Sequence, residues 1–114
     1  MRTIYKICDA PAWRTAEQAG AYRGSADDDR DGFIHFSTAE QLPGTLAKHY
    51  AGQTCLKLIA VDAETLGPAL RWEPSRGGAL FPHLYGELPL SAVTSVQDIA
   101  GRPDGGHDVP ELVP

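Results

Sequence analysis

The sequence predicts a single α+β domain with a mixed, mostly antiparallel sheet and two main helices. The chain has 114 residues, 42% of them hydrophobic, which suits one domain with one core. Its strand-like segments are short, and its helical patterns are concentrated in the first half. A doubly wound sheet would require helices and strands to alternate along the whole chain, so these patterns favour the α+β class.

The chain begins with a strand followed by a helix. Residues 3–8 are rich in β-branched and aromatic side chains, which predicts a first strand. Asp9 is placed to cap the N-terminus of a helix, Pro11 is tolerated in its first turn, and Gly20 ends it. Trp13 falls on the apolar face of this helix, so we expect it to anchor the core.

A polar segment separates this helix from a second strand and helix. Residues 24–32 are acidic and polar, which predicts a loop, and residues 33–36 predict a short strand. Ser37 and Glu40 have the spacing of a capping box, so a second helix is expected from Ser37 to about Tyr50.

The second half of the chain consists mainly of strands. Residues 54–62 form the most strand-like segment, which we expect at the centre of the sheet. A short helical turn at 63–70 and a brief strand around 70–73 follow. Two further short strands are expected at 81–88 and 92–99.

The net charge of −5 is unevenly distributed. Residues 27–31 and 101–114 carry all of it, so the rest of the chain is electrically balanced. Few and scattered basic residues exclude a general nucleic-acid binder, but not a local pocket for a phosphate-bearing ligand. The last 14 residues are rich in glycine and proline, so we expect a domain at 1–100 and a flexible tail at 101–114.

The N-terminus and the cysteines predict a cytoplasmic protein. Residues 1–6 lack the apolar core of a signal peptide, and no run approaches the roughly 20 apolar residues of a membrane span. Cys8 and Cys55 lie in apolar, strand-like runs and are expected to be buried free thiols. A disulfide between adjacent strands is the alternative.

The sequence does not predict a metal site. Residues 27–32 match the first half of a calcium loop, but Thr38 stands where the loop needs a bidentate glutamate. His35 and His83 supply two potential zinc ligands without an evident third. A metal-dependent hydrolase is therefore a minor alternative.

Two histidines are the main candidates for a functional site. His35 and Ser37 point to one face of their strand, and His83 and Tyr85 repeat this spacing. We expect the two pairs to share a cleft; two separate half-buried imidazoles are the alternative. A helix starting at Ser37 would suit an anionic ligand such as a phosphate.

The chain carries, spread over residues 3 to 99, the motifs Ile4-Tyr5-Lys6-Ile7, Trp13, Gly20-x-Tyr22, Gly32-Phe33-Ile34-His35-Phe36-Ser37-Thr38 with Gln41-Leu42, Val61-Asp62, Leu70-Arg71-Trp72-Glu73 and Phe81-Pro82-His83-Leu84-Tyr85-Gly86. Together these motifs resemble the domain-of-unknown-function 952 family. That family has no established activity, so the resemblance implies a fold rather than a function.

A more distant resemblance is to the RNA 2′-phosphotransferases of the ADP-ribosyltransferase superfamily. It is carried by the order of elements around His35-Phe36-Ser37 and by the strand that continues into Ala63-Glu64. The resemblance implies a bent, split sheet that binds NAD in its cleft. Residues 5–7 fall on the first motif of that superfamily, His35 and Ser37 on the second, and residues 81–86 near the third.

This resemblance implies roles for the candidate residues, with two departures. The first-strand His or Arg of the superfamily is Tyr5 or Lys6 here, and His83 and Tyr85 stand where its third motif has a catalytic Glu or Arg. The implied catalytic residues are His35, His83 and Tyr85. The implied cofactor-binding residues are Tyr5, Lys6, Arg23, Ser37, Trp72 and Glu73.

The predicted function is thus the binding of NAD, ADP-ribose or a similar small-molecule or nucleotide ligand, with catalysis of the ADP-ribosyltransferase type. In this interpretation Lys6 or Arg23 holds phosphate, and Tyr85 or Trp72 stacks on a ring. Glu73 accepts a hydrogen bond from a base or sugar hydroxyl; a surface carboxylate beside a core tryptophan is the alternative. A binding or interaction domain without catalysis is the alternative function.

Overall fold

The computed structural model describes residues 2–112, apart from the side chain of Arg76, and places nine strands and three α-helices within them. In chain order these are β1 (Thr3–Asp9), α1 (Ala10–Ala19), β2 (Ala21–Tyr22), α2 (Ala26–Asp31), β3 (Ile34–His35), α3 (Leu42–His49), β4 (Leu56–Asp62), β5 (Leu70–Pro74), β6 (Leu80–Leu84), β7 (Leu88–Pro89), β8 (Val93–Gly101) and β9 (His107–Asp108). Short 3-10 turns occupy Ala63–Ala69, Arg76–Gly78 and Leu90–Ala92. The predicted α+β class is confirmed.

The main sheet has the strand order β1-β4-β8-β9. Strand β4 lies between β1 and β8 and pairs antiparallel with both, with Thr3 of β1 opposite Asp62. The predicted central position of this segment is confirmed. Its apolar residues on both faces are buried, as expected for a strand covered on two sides.

Two core clusters cover the two faces of this sheet, following the period-two alternation of β1 and β4. Ile4 and Val61 belong to the cluster that includes Trp13 of α1. Tyr5 and Leu58 belong to the cluster that packs under α3.

A second sheet, of order β3-β6-β5, curls away from the main one. His35 of β3 lies directly opposite His83 of β6. The backbones of Tyr5 and Ser37 exchange hydrogen bonds of 2.8 and 2.9 Å, which ties β1 to the end of β3. The two curled sheets therefore meet at one seam and leave a space beside it.

Helix α1 forms as predicted. The Asp9 carboxylate accepts a 2.8 Å hydrogen bond from the backbone N–H of Ala12, and Gly20 ends the helix in the left-handed region at φ 86°. Trp13 is buried, so its predicted role as a core anchor is confirmed.

Two local predictions in the next segment were wrong. Residues 24–32 contain α2, whose N-cap Ser25 forms a capping box with Asp28, rather than a loop. Helix α3 begins at Leu42, not at Ser37. The backbone of Ser37 pairs with β1 instead, so that its N–H and its carbonyl are both satisfied by Tyr5.

The C-terminal segment lies against the domain through two contacts. Strand β9 pairs with the end of β8, and Val109 and Leu112 pack against the cluster under α3. The flexibility of this segment stays a prediction, and residues 113–114 lie outside the described part of the chain.

Both cysteines are free thiols, as predicted. Cys8 is buried, whereas Cys55 is exposed, in contrast to the expectation, and has a left-handed backbone with φ 58°. Among the described residues, no helix is long and apolar enough to cross a membrane. The cytoplasmic location stays a prediction.

Candidate functional site

An open cleft of about 690 Å³ lies beside the seam between the two sheets. Its walls come from β1, α2, β3 and the neighbouring part of β6. The sequence-predicted residues that line it are Tyr5, Lys6, His35, Ser37 and His83. The two pairs were expected to share a cleft: His35, Ser37 and His83 line this one, Tyr85 does not, and the roles of all four remain predictions.

Asp28 of α2 is the most connected polar side chain of this cleft. Its Oδ2 accepts hydrogen bonds from Lys6 Nζ and from the Ser25 backbone N–H, both at 2.8 Å. Its Oδ1 lies 2.6 Å from His35 Nδ1 and accepts a 3.1 Å bond from the His35 backbone N–H. One carboxylate therefore joins α2 to both β1 and β3.

The surroundings of Asp28 keep it ionised although it is only 3% exposed. Burial by itself raises the pKa of a carboxyl group. The hydrogen bond with His35, the Lys6 ammonium and the Ser25 N–H act in the opposite direction, so the pKa of Asp28 lies well below its ordinary value. The close approach of Gly24 contributes to this packing, because a Cβ at that position would lie 2.8 Å from the Cβ of Asp28.

His35 lies between two carboxylates. Its Nδ1 faces Asp28, and its Nε2 lies 2.9 Å from Asp31 Oδ2. Hydrogen bonds from Arg30 and His35 lower the pKa of Asp31. Both ring nitrogens of His35 therefore face carboxylate oxygens, which accept hydrogen bonds and cannot donate them.

His83 pairs with a carboxylate on the neighbouring strand, that of Glu73. Its Nδ1 lies 2.9 Å from Glu73 Oε1, and the Tyr85 hydroxyl donates a 2.7 Å hydrogen bond to the same oxygen. The hydrogen bond from Tyr85 and, after it, the hydrogen bond with His83 lower the pKa of Glu73. The hydrogen bond between Tyr85 and Glu73 also raises the pKa of Tyr85. The His83 ring is nearly enclosed, with 5% of its side chain exposed.

Phe33 holds the two imidazoles next to each other. Its ring stacks on His83 with centroids 4.0 Å apart and an interplanar angle of 21°, and it contacts His35 at 4.7 Å. The two imidazole centroids are 5.5 Å apart, edge to face. The pair is thus fixed by strand register, by carboxylates and by one aromatic ring.

Four predicted site residues do not line the cleft. Glu73 and Tyr85 lie behind His83. Arg23 is exposed and pairs with Glu87 at 3.2 Å. The Arg2 guanidinium lies over the Trp72 ring, 4.1 Å from the ring centroid. The helix N-terminus expected at Ser37 is absent, because α3 begins at Leu42. The Ser37 hydroxyl pairs with Thr45 Oγ1 at 2.9 Å.

The sequence analysis missed Asp28, Asp31 and Phe33. The acidic run was interpreted as a solvated loop, although Ser25 and Asp28 have capping-box spacing. That spacing was the available signal for α2, and Phe33 was assigned only to a strand. Within residues 2–112, no three His, Cys, Asp or Glu side chains are grouped so that they could hold a metal ion.

Comparisons with known proteins place this chain in a family. A crystal structure of protein CC0527 from Caulobacter crescentus is 49% identical, covers 93% of each chain and superposes with a TM-score of 0.90. A solution structure of the same protein is 50% identical and gives a TM-score of 0.83 over 93% of this chain and 91% of that one. A search of curated proteins finds no match to the chain. The model of the family described as "Protein of unknown function (DUF952)" matches residues 7–96, and the chain therefore belongs to the DUF952 family.

Proposed function

We propose that the cleft binds NAD or another ligand containing ADP-ribose, and that the two imidazoles act on the ribose end of that ligand. The observation that carries the proposal is the pair itself. His35 and His83 each have Nδ1 held by a carboxylate, their rings are 5.5 Å apart, and both line one cleft. Imidazoles held in this way are suited to proton transfer and to binding hydroxyl groups.

The size of the cleft supports this ligand class, and its charge bears on the ribose end alone. A volume of about 690 Å³ lies within the range of roughly 300–1,000 Å³ typical of small-molecule sites. Carboxylates outnumber the permanently charged cations along the wall: Asp9, Asp27, Asp28 and Asp31 against Lys6 and Arg30. Breaking the bond between nicotinamide and ribose creates positive charge on the sugar, which an acidic wall stabilises.

The two imidazoles have different parts in this proposal. His35 bonds to Asp28 and Asp31 with its two nitrogens, so it would hold the Asp31 carboxylate in place to accept a hydrogen bond from a ribose hydroxyl. His83 would accept the proton of the hydroxyl or water that attacks the ribose. Phosphate binding by Lys6 with Ser37 loses its physical basis, because Lys6 is committed to Asp28 and Ser37 starts no helix.

The binding proposal is tested by calorimetry and thermal unfolding with NAD and with ADP-ribose. We expect heat on titration and a rise in Tm, both lost in His35→Ala. His107→Ala is the matched control, since this histidine does not itself line the cleft and contacts the backbone carbonyl of a lining residue, Gln53, at 2.8 Å. Absence of heat and of a Tm shift with both ligands would contradict the proposal.

The burial of His83 favours a second candidate, a domain that binds the same ligand without turnover. A ring with 5% exposure has limited access to a substrate. Release of free nicotinamide from NAD separates the two candidates. Release that His83→Ala abolishes supports catalysis, whereas a Tm shift without release supports binding alone.

A further inference from the structure

We infer that Glu73 and Tyr85 are positioning residues, which fix the tautomer of His83 rather than contact the ligand. In this assignment the pair keeps the hydrogen of neutral His83 on Nδ1 and leaves Nε2 as an acceptor. The consequence for turnover rests on the proposed function. The assignment of the tautomer itself does not.

The strand pairing places Glu73 where it can reach His83. Strands β5 and β6 pair with Arg71 opposite His83 and Glu73 opposite Phe81. Glu73 is therefore the diagonal neighbour of His83 on one face of the sheet, a position within reach of long side chains. Its Oε1 lies 2.9 Å from His83 Nδ1 and 2.7 Å from the Tyr85 hydroxyl.

The donors and acceptors of Tyr85, Glu73 and His83 determine which nitrogen of the His83 ring carries the hydrogen. The Tyr85 hydroxyl donates to Glu73, and hydrogen bonds from Tyr85 and His83 keep the pKa of Glu73 low, so Glu73 is an ionised acceptor. A carboxylate has no hydrogen to give, so the Nδ1 of His83 must donate. The hydrogen bond made by one imidazole nitrogen sets the state of the other.

Aromatic contacts hold the rings of His83 and Tyr85 in place. Phe33 stacks on His83 at 4.0 Å, which sets the plane of the imidazole, and it contacts the Tyr85 ring at 5.2 Å. The Arg71 guanidinium lies over the outer side of Tyr85, 4.8 Å from the ring centroid. Glu73 and Tyr85 do not line the cleft, whereas His83 does. Their geometry thus suits an action through His83.

The contacts of Glu73 with His83 and Tyr85 also make the two histidines chemically different. His35 faces carboxylates with both nitrogens and is arranged as a donor twice. His83 contacts the carboxylate of Glu73 through Nδ1, which leaves Nε2 as the acceptor of the neutral ring. His83 is therefore the imidazole of the pair that is arranged to act as a base.

The test is long-range 1H–15N NMR of the ligand-free protein at a pH where His83 is neutral, with its signals assigned through His83→Gln. We expect hydrogen on Nδ1 in the wild type and a shift toward the Nε2-protonated form in Glu73→Ala. Glu73→Gln should retain the wild-type tautomer, because its amide oxygen still accepts from Nδ1. Glu87→Ala, which removes an exposed carboxylate paired with Arg23, is the matched control and should leave His83 unchanged.

Two results would overturn the inference: an Nε2-protonated His83 in the wild type, or an unchanged tautomer in Glu73→Ala. Thermal unfolding of each variant establishes that it is folded. If the protein also releases nicotinamide from NAD, Glu73→Ala should reduce the rate by about 10- to 100-fold while the Kd for NAD changes less than about twofold. A confirmed tautomer shift without NAD binding would leave the inference standing and contradict the proposed function alone.

Discussion

Replacing Asp28 by asparagine should destabilise the protein by about 3–5 kcal/mol, the cost typical of removing one partner of a buried ion pair. Asp28 and Lys6 are 3% and 4% exposed, so neither charge can be hydrated once the other is lost. Asparagine keeps one acceptor oxygen in place of two. The NH2 group of the asparagine side chain would face either the donors of Lys6 and Ser25 or those of His35. At least one buried donor would then lack an acceptor.

This loss is large compared with the whole stability of a small domain, which is about 5–15 kcal/mol. For a domain of about 100 residues it corresponds to a decrease in Tm of about 12–20 °C. Urea unfolding, followed by tryptophan fluorescence, measures the free energy directly. Asp29→Asn is the matched control, because Asp29 belongs to the same helix and is exposed, and it should change stability by less than about 0.5 kcal/mol.

A double-mutant cycle tests the ion pair itself. Lys6→Met leaves Asp28 with its contacts to His35 and Ser25, so it should cost less than Asp28→Asn, about 1–3 kcal/mol. The double variant should be more stable than the sum of the two losses predicts, by about 1–3 kcal/mol. Additive losses, or a cost of Asp28→Asn equal to that of Asp29→Asn, would refute the reasoning.

The same carboxylate gives a pH dependence of known sign. Because the pKa of Asp28 is lowered in the folded protein, the unfolded chain takes up a proton at a higher pH, near 4, than the folded one. Its contribution to stability is fully present above that value and is lost as the pH falls further. Asp28→Asn should therefore lose less stability than the wild type between pH 7 and pH 3. Equal losses would contradict this assignment.

Two further predictions concern the thiols and a glycine. Burial raises the pKa of the Cys8 thiol to about 11, so a chromogenic thiol reagent at pH 8 should label the exposed Cys55 and reach Cys8 only on unfolding; equal rates would contradict this. Gly24→Ala should cost more than Gly52→Ala in chemical unfolding. Both glycines have positive φ, but only at Gly24 would the new Cβ meet a side chain, that of Asp28 at 2.8 Å.

The parts of the fold that the sequence predicts well are those where local and tertiary preferences agree. The segment of β4 is apolar on both faces, and its position between β1 and β8 buries both. Asp9, Pro11 and Gly20 mark the ends of α1, and Trp13 gives the helix a buried face. Each of these signals lies within one element, so no distant contact is needed to interpret it.

Helix α2 could not be predicted from apolar periodicity, because it has none. Its buried side chain is Asp28, and the partners of that side chain, Lys6 and His35, lie 22 and 7 residues away. A buried carboxylate is stable only where such partners converge, and the sequence contains no local sign of that convergence. The contacts of Asp28 therefore had no local signal, whereas the capping-box spacing of Ser25 and Asp28 did indicate α2.

The capping-box signal at Ser37 and Glu40 failed for a different reason. The spacing is correct, but the backbone N–H of Ser37 donates to Tyr5 of β1 at 2.9 Å and the helix starts five residues later, at Leu42. The strand pairing satisfies both the N–H and the C=O of Ser37 and joins β1 to the end of β3. Long-range pairing therefore overrides a local preference of about 1 kcal/mol.

The two histidine motifs show that spacing in the sequence does not by itself determine the chemistry of a side chain. His35 with Ser37 and His83 with Tyr85 look alike in sequence, yet the Ser37 hydroxyl bonds to Thr45 while the Tyr85 hydroxyl reaches His83 through a carboxylate. Period two determines which side chains share a face, but not which residue of the neighbouring strand lies beside them. That depends on register, and the register of β5 and β6 is what brings Glu73 to His83. The difference in chemistry between the two imidazoles is thus a property of strand pairing rather than of either motif.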